Sequence, residues 1–331
     1  MKRLLAALLV LLFTVTALSA CGRKAEDLSG GMYYDGYIRE ALPGQFPIGE
    51  KIPGMAEDLC LIQDESRYDP ARFQANFAGL FSEGDREVLY AKNALEKMYP
   101  ASMTKLMTAL LVIENCPDLS VKTTLSDPEI FDLAEGASVA YLFPGGTYTL
   151  SDLLYALFIP SGNDAANALA VHTAGSLPAF VKMMNERAQE LGMVNTHYAN
   201  AHDMHVPDHY TTVYDMYLLS RECAKHADLM LYAVAKARTI VCIREDGTEY
   251  EQSYKSGNSY LLGYTVPPQG VTIVGGKTGT TKEAGNCLTL IVTGSDGSSY
   301  IAVLGKCNGY EALYNQMNTL LEMIPAYEAG R

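Results

Sequence analysis

Beyond its first twenty residues the chain has no apolar run long enough to cross a membrane. It has no internal repeat, which removes repeat architectures from consideration. It has no Cys-x-x-Cys, which argues against a zinc ribbon or a thioredoxin-type motif. It is also short of bases: 25 Lys and Arg stand against 38 Asp and Glu, for a formal net charge of -13. That balance argues against nucleic acid as a partner, because a phosphate backbone selects a basic face. It also means that an anionic substrate needs local cations set against a repulsive global field. What remains is 331 residues, 48% hydrophobic and 19% charged. That is enough apolar surface for one large domain or two small ones, and it excludes a disordered chain, a collagen and a disulfide-held miniprotein.

The N-terminus reads as an export signal. Lys2 and Arg3 are followed by an almost wholly apolar stretch from Leu4 to Ala17, then by Leu18-Ser19-Ala20-Cys21. The stretch is short for a membrane helix and has the layout of a signal peptide. The last four residues resemble a bacterial lipobox, in which the Cys21 thiol receives a diacylglycerol and the chain is cut before it. Cleavage would remove two bases and no acid, taking the charge from -13 to -15. Residues 1–20 are therefore expected to be a lipoprotein signal peptide. Residues 21–55, rich in Gly, Pro and polar groups, are expected to be a lipidated tether. Residues 56–331 are expected to form the folded domain. Export leaves six other cysteines, which read either as disulfides or as buried free thiols.

Along the domain, 73–81 and 87–92 pattern as two strands of a hairpin. Residues 100–116 read as a buried helix ended by Pro117. Ser151 is expected to cap a helix running to about 158. Further helices are expected over 163–174, 177–191 and 211–225. Then 239–244 and 248–254 flank Asp246-Gly247 as a hairpin. Strands follow at 271–280, 286–293 and 300–306, and a helix at 309–324. The economical fold is α+β: one antiparallel sheet built from both chain ends, flanked by helices, with an inserted helical lobe. Thr147, Tyr148 and Thr149 read as strand surface. A hairpin turning around Asp296-Gly297 would set Cys287 opposite Cys307, close enough to permit a disulfide.

Three motifs carry chemistry. Ser102-Met-Thr-Lys105 puts a hydroxyl and an amine on one helix face, one turn apart. A serine needs a base, and a lysine serves if burial and neighbouring cations depress its pKa. Ser161-Gly-Asn163 sets a hydroxyl and an amide at a helix start. Lys277-Thr278-Gly279-Thr280 offers a cation and two hydroxyls on a strand, suited to a carboxylate, and Gly279 lets another backbone lie close. Singly, each also reads as a cap, a turn or a polar edge strand. Together and in this order they form the set found in serine β-lactamases and penicillin-binding proteins.

The longer segments resemble the low-molecular-mass D-alanyl-D-alanine carboxypeptidases, the serine DD-peptidase family. They are Tyr99-Pro-Ala-Ser-Met-Thr-Lys-Leu-Met-Thr108, Ile159-Pro-Ser-Gly-Asn-Asp-Ala-Ala-Asn-Ala-Leu169 and Gly276-Lys-Thr-Gly-Thr-Thr-Lys-Glu-Ala-Gly-Asn286. Asn195-Thr-His-Tyr-Ala-Asn200 and His209-Tyr-Thr-Thr212 extend the match. The resemblance implies a β-lactamase/DD-peptidase-like fold and peptidoglycan stem peptides as substrate; the lipobox-like N-terminus adds the expectation of an exported enzyme held by its lipid on the outer face of the cytoplasmic membrane. It implies that Ser102 attacks the carbonyl between two D-alanines and Lys105 accepts its proton. Ser161 relays a proton to the leaving amine, and Asn163 orients the substrate and Lys105. Lys277, Thr278 and Thr280 bind the terminal carboxylate. The N–H groups of Ser102 and Thr280 form the oxyanion hole. β-Lactams would act as covalent inhibitors, and no metal or organic cofactor is implied.

Three departures stand out. The family usually has glycine after the His of its Asn-x-His segment; here Asp203 follows His202. An Arg after the last strand often helps hold the carboxylate; here Gly309-Tyr310-Glu311 stands there, leaving Lys306 as substitute or the contact absent. Many relatives also carry a C-terminal β-domain and an anchor helix, which the N-terminal lipid would replace. His202, His205 and His209 have helical spacing, but Pro207 argues against a shared face and a metal site. A β-lactamase shares the first chemical step, yet no Glu-x-x-x-Asn lies between Asn163 and Lys277. A catalytically dead peptide-binding lipoprotein would have lost one of Ser102, Lys105, Ser161 or Lys277, and all are present. Turnover of diacetyl-Lys-D-Ala-D-Ala compared with penicillin separates the three.

Overall fold

The first strand, Phe77–Ser82 (β1), is buried along its whole length, the mark of a strand covered on both faces. Its partner Glu87–Lys92 (β2) is more exposed and forms the edge. The computed structural model describes residues 58–331. The expected signal peptide, Cys21, the tether and the first two residues of the expected domain lie outside the described residues. Between Asn93 and the last three strands the chain makes a long excursion. It returns as Thr272–Thr281 (β7), Gly285–Thr293 (β8) and Ser299–Cys307 (β9). The five strands form one sheet in the order β2-β1-β9-β8-β7, every neighbouring pair antiparallel. Both chain ends thus build the sheet, as the sequence indicates.

The excursion is mainly helical. Lys105–Asn115 (α1) is buried from Lys105 through Val112, as a helix without a polar face must be. Leu150–Phe158 (α2), Asn163–Ala174 (α3), Leu177–Glu190 (α4), Val213–Ala224 (α5) and Ala227–Ala233 (α6) surround it. The cap of α2 is Thr149, whose Oγ1 accepts from Asp152 N at 3.0 Å, rather than Ser151. After a short Ser259–Leu262 helix (α7), the chain ends in Tyr310–Leu321 (α8) and Met323–Ala329 (α9).

A second sheet corrects the single-sheet expectation. Lys122–Thr124 (β3), Thr147–Thr149 (β4), Ala237–Ile243 (β5) and Glu249–Lys255 (β6) pair in that order. The Asp246-Gly247 hairpin therefore belongs to the inserted lobe. Tyr148 is not surface: it is buried, and its hydroxyl donates to Gln252 Oε1 at 2.8 Å and accepts from Phe143 N at 3.0 Å. The five-stranded sheet separates two apolar cores. One face packs on the helical lobe through Phe81, Ile291, Ile301 and Val303. The other packs on α8 and α9 through Leu288, Leu290, Tyr300 and Leu304.

The cysteine pair does not form. Asn286, not Cys287, stands opposite Cys307, and Leu288 stands opposite Leu304. Two residues of β9 therefore face one of β8, a bulge at which Lys306 takes φ +54°. A one-residue irregularity reverses side-chain facing. Cys287 accordingly lies in the lobe-side core and Cys307 in the core beneath α8. All six cysteines among the described residues are free thiols.

Candidate active site

Ser102 sits in a 3-10 turn, Ala101–Thr104, that leads directly into α1. Ala101 takes φ +47°. The turn fits against β7 because Gly279 has no side chain. A Cβ there would lie 2.9 Å from Pro100 O and 2.9 Å from Ser102 N. Glycine thus fixes the distance between the first and third motifs, the close approach its place in the sequence indicates. The second motif comes from the turn between α2 and α3. Ser161 is held at φ +61°, a strained conformation for a residue with a side chain. The turn is braced by Gly162 N donating to Ala156 O at 3.0 Å and Asn163 N donating to Ser138 O at 2.8 Å. Asp164 anchors it from below, accepting from Ala140 N and Leu142 N.

The three motifs meet. Ser161 Oγ donates to Ser102 Oγ at 2.9 Å, and Lys277 Nζ donates to Ser161 Oγ at 3.0 Å. Lys105 Nζ lies 3.0 Å from Ser102 Oγ, 3.3 Å from Ser161 Oγ and 2.7 Å from Asn163 Oδ1. Lys105 is fully buried and Ser102 nearly so. Thr278 and Thr280 follow Lys277 along β7, with Thr280 exposed and donating to Asn286 Oδ1 at 3.1 Å. A cleft of about 280 Å³ opens beside these groups, lined by Ser161, Lys277, Thr278, Tyr232, Lys255 and Asn258. Lys306 is exposed at the β9 bulge.

One member of the cluster escaped the sequence reading. Asp203, noted there only as a departure from glycine, points into the centre. Its Oδ2 accepts from Ser102 Oγ and, at 3.0 Å, from Lys105 Nζ; its Oδ1 accepts from Asn163 Nδ2 at 2.6 Å. The segment that carries it is pinned to α1. Thr108 Oγ1 donates to Ala201 O at 2.5 Å, and Thr104 Oγ1 pairs with His209 Nε2 at 2.7 Å. The three histidines go separate ways. His209 accepts from Ala199 N and bonds Thr104, His202 accepts from Met204 N, and His205 packs edge-on against Tyr99. Burial lowers His209 to about 3 and, with the Lys105 charge, His202 to about 4, so both are neutral at pH 7.

The electrostatics follow from burial. Desolvation pulls Lys105 below its ordinary value, against the opposing pull of Asp203. Desolvation and the Lys105 charge lower Lys277 to about 7. For Asp203 burial acts upward, but the Lys105 charge and the hydrogen bonds from Ser102, Lys105 and Asn163 outweigh it and hold the carboxyl at about 2. The resting site is therefore a buried cluster in which desolvation favours loss of the Lys105 proton, Asp203 opposes that loss, and a second lysine titrates near neutrality.

Residues 65–307 match the model of a family described as D-alanyl-D-alanine carboxypeptidase. The D-alanyl-D-alanine carboxypeptidase DacF of Bacillus subtilis is 34% identical over 230 residues, covering 69% of this chain and 56% of that protein. DacC of Escherichia coli, of the same description, is 31% identical, covering 66% and 53%. The chain thus spans about half the length of these curated relatives. The crystal structure of the Streptomyces K15 DD-transpeptidase superposes with a TM-score of 0.69 at 27% identity, covering 78% of this chain and 98% of that one.

Proposed function

Because the chain belongs to the D-alanyl-D-alanine carboxypeptidase family, we propose that it removes the terminal D-alanine from peptidoglycan stem pentapeptides through an acyl-enzyme on Ser102. The observation that carries this reading is the convergence of Ser102, Lys105, Ser161, Asn163 and Lys277 within hydrogen-bond reach of one another. Nothing in a packing role requires two lysines and two serines to share one cleft.

The steps follow the geometry. Lys277 draws the substrate's terminal carboxylate onto β7, with Thr278 and Thr280 completing its hydrogen bonds; this is the local cation that an acidic protein needs. Ser102 Oγ attacks the carbonyl, and its proton passes to Lys105 in its neutral form, which burial favours. The backbone N–H groups of Ser102 and Thr280 serve the developing oxyanion; the Gly279 contact sets Ser102 N close to β7. Ser161 touches Ser102, Lys105 and Lys277, so it can hand a proton to the departing amine. Asn163 fixes Lys105 through its Oδ1. Water then releases the shortened peptide. β-Lactams acylate the same serine. Cys21, carrying a diacylglycerol on its thiol and made the N-terminus by cleavage before it, holds the enzyme on the outer face of the cytoplasmic membrane.

Labelled penicillin tests the nucleophile. It attaches covalently to the wild type and not to Ser102→Ala; labelling that survives in the variant rejects the assignment. Release of D-alanine from diacetyl-Lys-D-Ala-D-Ala tests the reaction. Mass spectrometry of membrane-extracted protein tests the anchor, which requires a lipid-modified peptide beginning at Cys21.

A further inference from the structure

Asp203 has no part in the reaction just described, yet it touches the reacting oxygen. A carboxylate 6% exposed survives in a protein only when its charge is matched, and here Ser102, Lys105 and Asn163 all donate to it. Its aim is built into the segment. Asn200 Nδ2 donates to Met204 O at 2.8 Å, His202 N donates to Asn200 Oδ1 at 3.2 Å, and Met204 N donates to His202 Nδ1 at 3.1 Å. Together with the Thr108 contact these bonds hold the backbone on both sides of Asp203. The placement works against the binding of an anionic substrate, so its effect is sought in the chemical steps.

Acylation changes what Asp203 faces. In the free enzyme Ser102 Oγ–H donates to its Oδ2. In the acyl-enzyme that oxygen is an ester oxygen without a proton, and Oδ2 is left with one unmatched lone pair beside the acyl carbon. We propose that Asp203 is the general base that hydrolyses the acyl-enzyme, and that it gives this protein a second activity, the turnover of β-lactams. Resting on the Ser102 acyl-enzyme above, the step balances as follows. A water oxygen bonds to the acyl carbon while one of its O–H bonds breaks and that proton moves to Asp203 Oδ2. The tetrahedral intermediate collapses, the C–Oγ bond breaks, and its electron pair returns to Ser102 Oγ, which takes the proton from Asp203. One water is consumed, one carboxylic acid leaves, and the enzyme is restored.

Two further observations fit. The Ser102 hydrogen bond is among the interactions that hold the Asp203 carboxyl low, so its loss on acylation raises proton affinity at the step that needs a base. In class A β-lactamases the deacylating step belongs to a carboxylate in the site. Here a carboxylate beside an amide is supplied by the 200–204 segment, with Asp203 Oδ1 2.6 Å from Asn163 Nδ2. Searching the sequence for Glu-x-x-x-Asn could not find it.

The experiment is a pulse of labelled penicillin followed by an unlabelled chase, on the wild type, Asp203→Asn and Asp203→Glu, with thermal melting to check folding. The wild-type adduct decays, and decays more slowly in D2O. Asp203→Asn still labels at Ser102, but its adduct decays about 10²–10⁴-fold more slowly, the range general-base catalysis supplies. Asp203→Glu regains part of the rate. A wild-type decay unaffected by D2O, or an Asn variant whose adduct decays at the wild-type rate, overturns the proposal. Loss of labelling in a folded Asp203→Asn also overturns it, since the carboxylate would then serve the first step. A wild type that never labels instead rejects the Ser102 reading itself.

Discussion

Helix α1 carries a charge cluster at each end, and the two are built on different physics. At its first residue Lys105 pairs with Asp203, with neither side chain more than 6% exposed. Near its last, Glu114 meets Arg187 of α4 at 2.6 Å, and Arg187 also reaches Glu190 and Glu222, with Arg187 and Glu114 each 21% exposed. Both helix charges oppose the macrodipole, which favours an anion at the N-terminus and a cation at the C-terminus. At the C-terminal end water and several partners share the load. At the N-terminal end both partners are buried, and desolvation lowers the proton affinity of the lysine against the pull of the carboxylate. The same kind of ion pair is structural at one end and sets the chemistry at the other.

The largest effect comes from breaking the buried pair. Lys105→Ala abolishes penicillin labelling, because the hydroxyl loses its base. It also strands the Asp203 carboxylate, at a cost of about 3–5 kcal/mol in chemical denaturation. The double variant Lys105→Ala/Asp203→Asn recovers much of that stability and none of the labelling, which separates the two roles. A smaller effect concerns Lys277, lowered to about 7 by burial and by Lys105. A lysine with a depressed pKa loses its charge as pH rises through that value. The kcat/KM for a substrate with a free terminal carboxylate therefore falls above about pH 7, and a substrate amide shows no such fall. The smallest effect lies at the solvent end. Arg187→Ala costs about 1 kcal/mol, shrinks in high salt, and leaves penicillin labelling unchanged.

The three motifs that meet in the cluster were legible in the sequence because each lies on a short stretch with its own local signal. Ser102 and Lys105 are one turn apart, Ser161 precedes a helix start, and Lys277 lies within a strand rich in small residues. The sheet built from both ends was legible for the same reason, since β1, β8 and β9 are long and apolar. Three things were not. The second sheet was missed because two of its four strands have three residues and a single bridge, Thr147 to Ile243, joins them to the β5–β6 hairpin, too little for a period to register. The Cys287–Cys307 placement failed on the bulge at Lys306, which follows from backbone conformation at a residue with no turn signal. The role of Asp203 was hidden because its partners lie 40 to 101 residues away, and only folding brings them to it.

The pairing of β1 with β9 has a temporal consequence. Phe77 lies opposite Gly305, and Ser82 opposite Tyr300. A chain that enters its folding compartment N-terminus first must hold its nucleophile helix ready while about two hundred residues follow, and the closure of so long a loop is slow. The strand bearing Lys277 also enters late. A nascent or truncated chain that lacks β9 therefore has an open sheet edge at β1 and no catalytic cleft, so enzymatic competence and completion of the sheet arrive together, near the end of the domain's delivery.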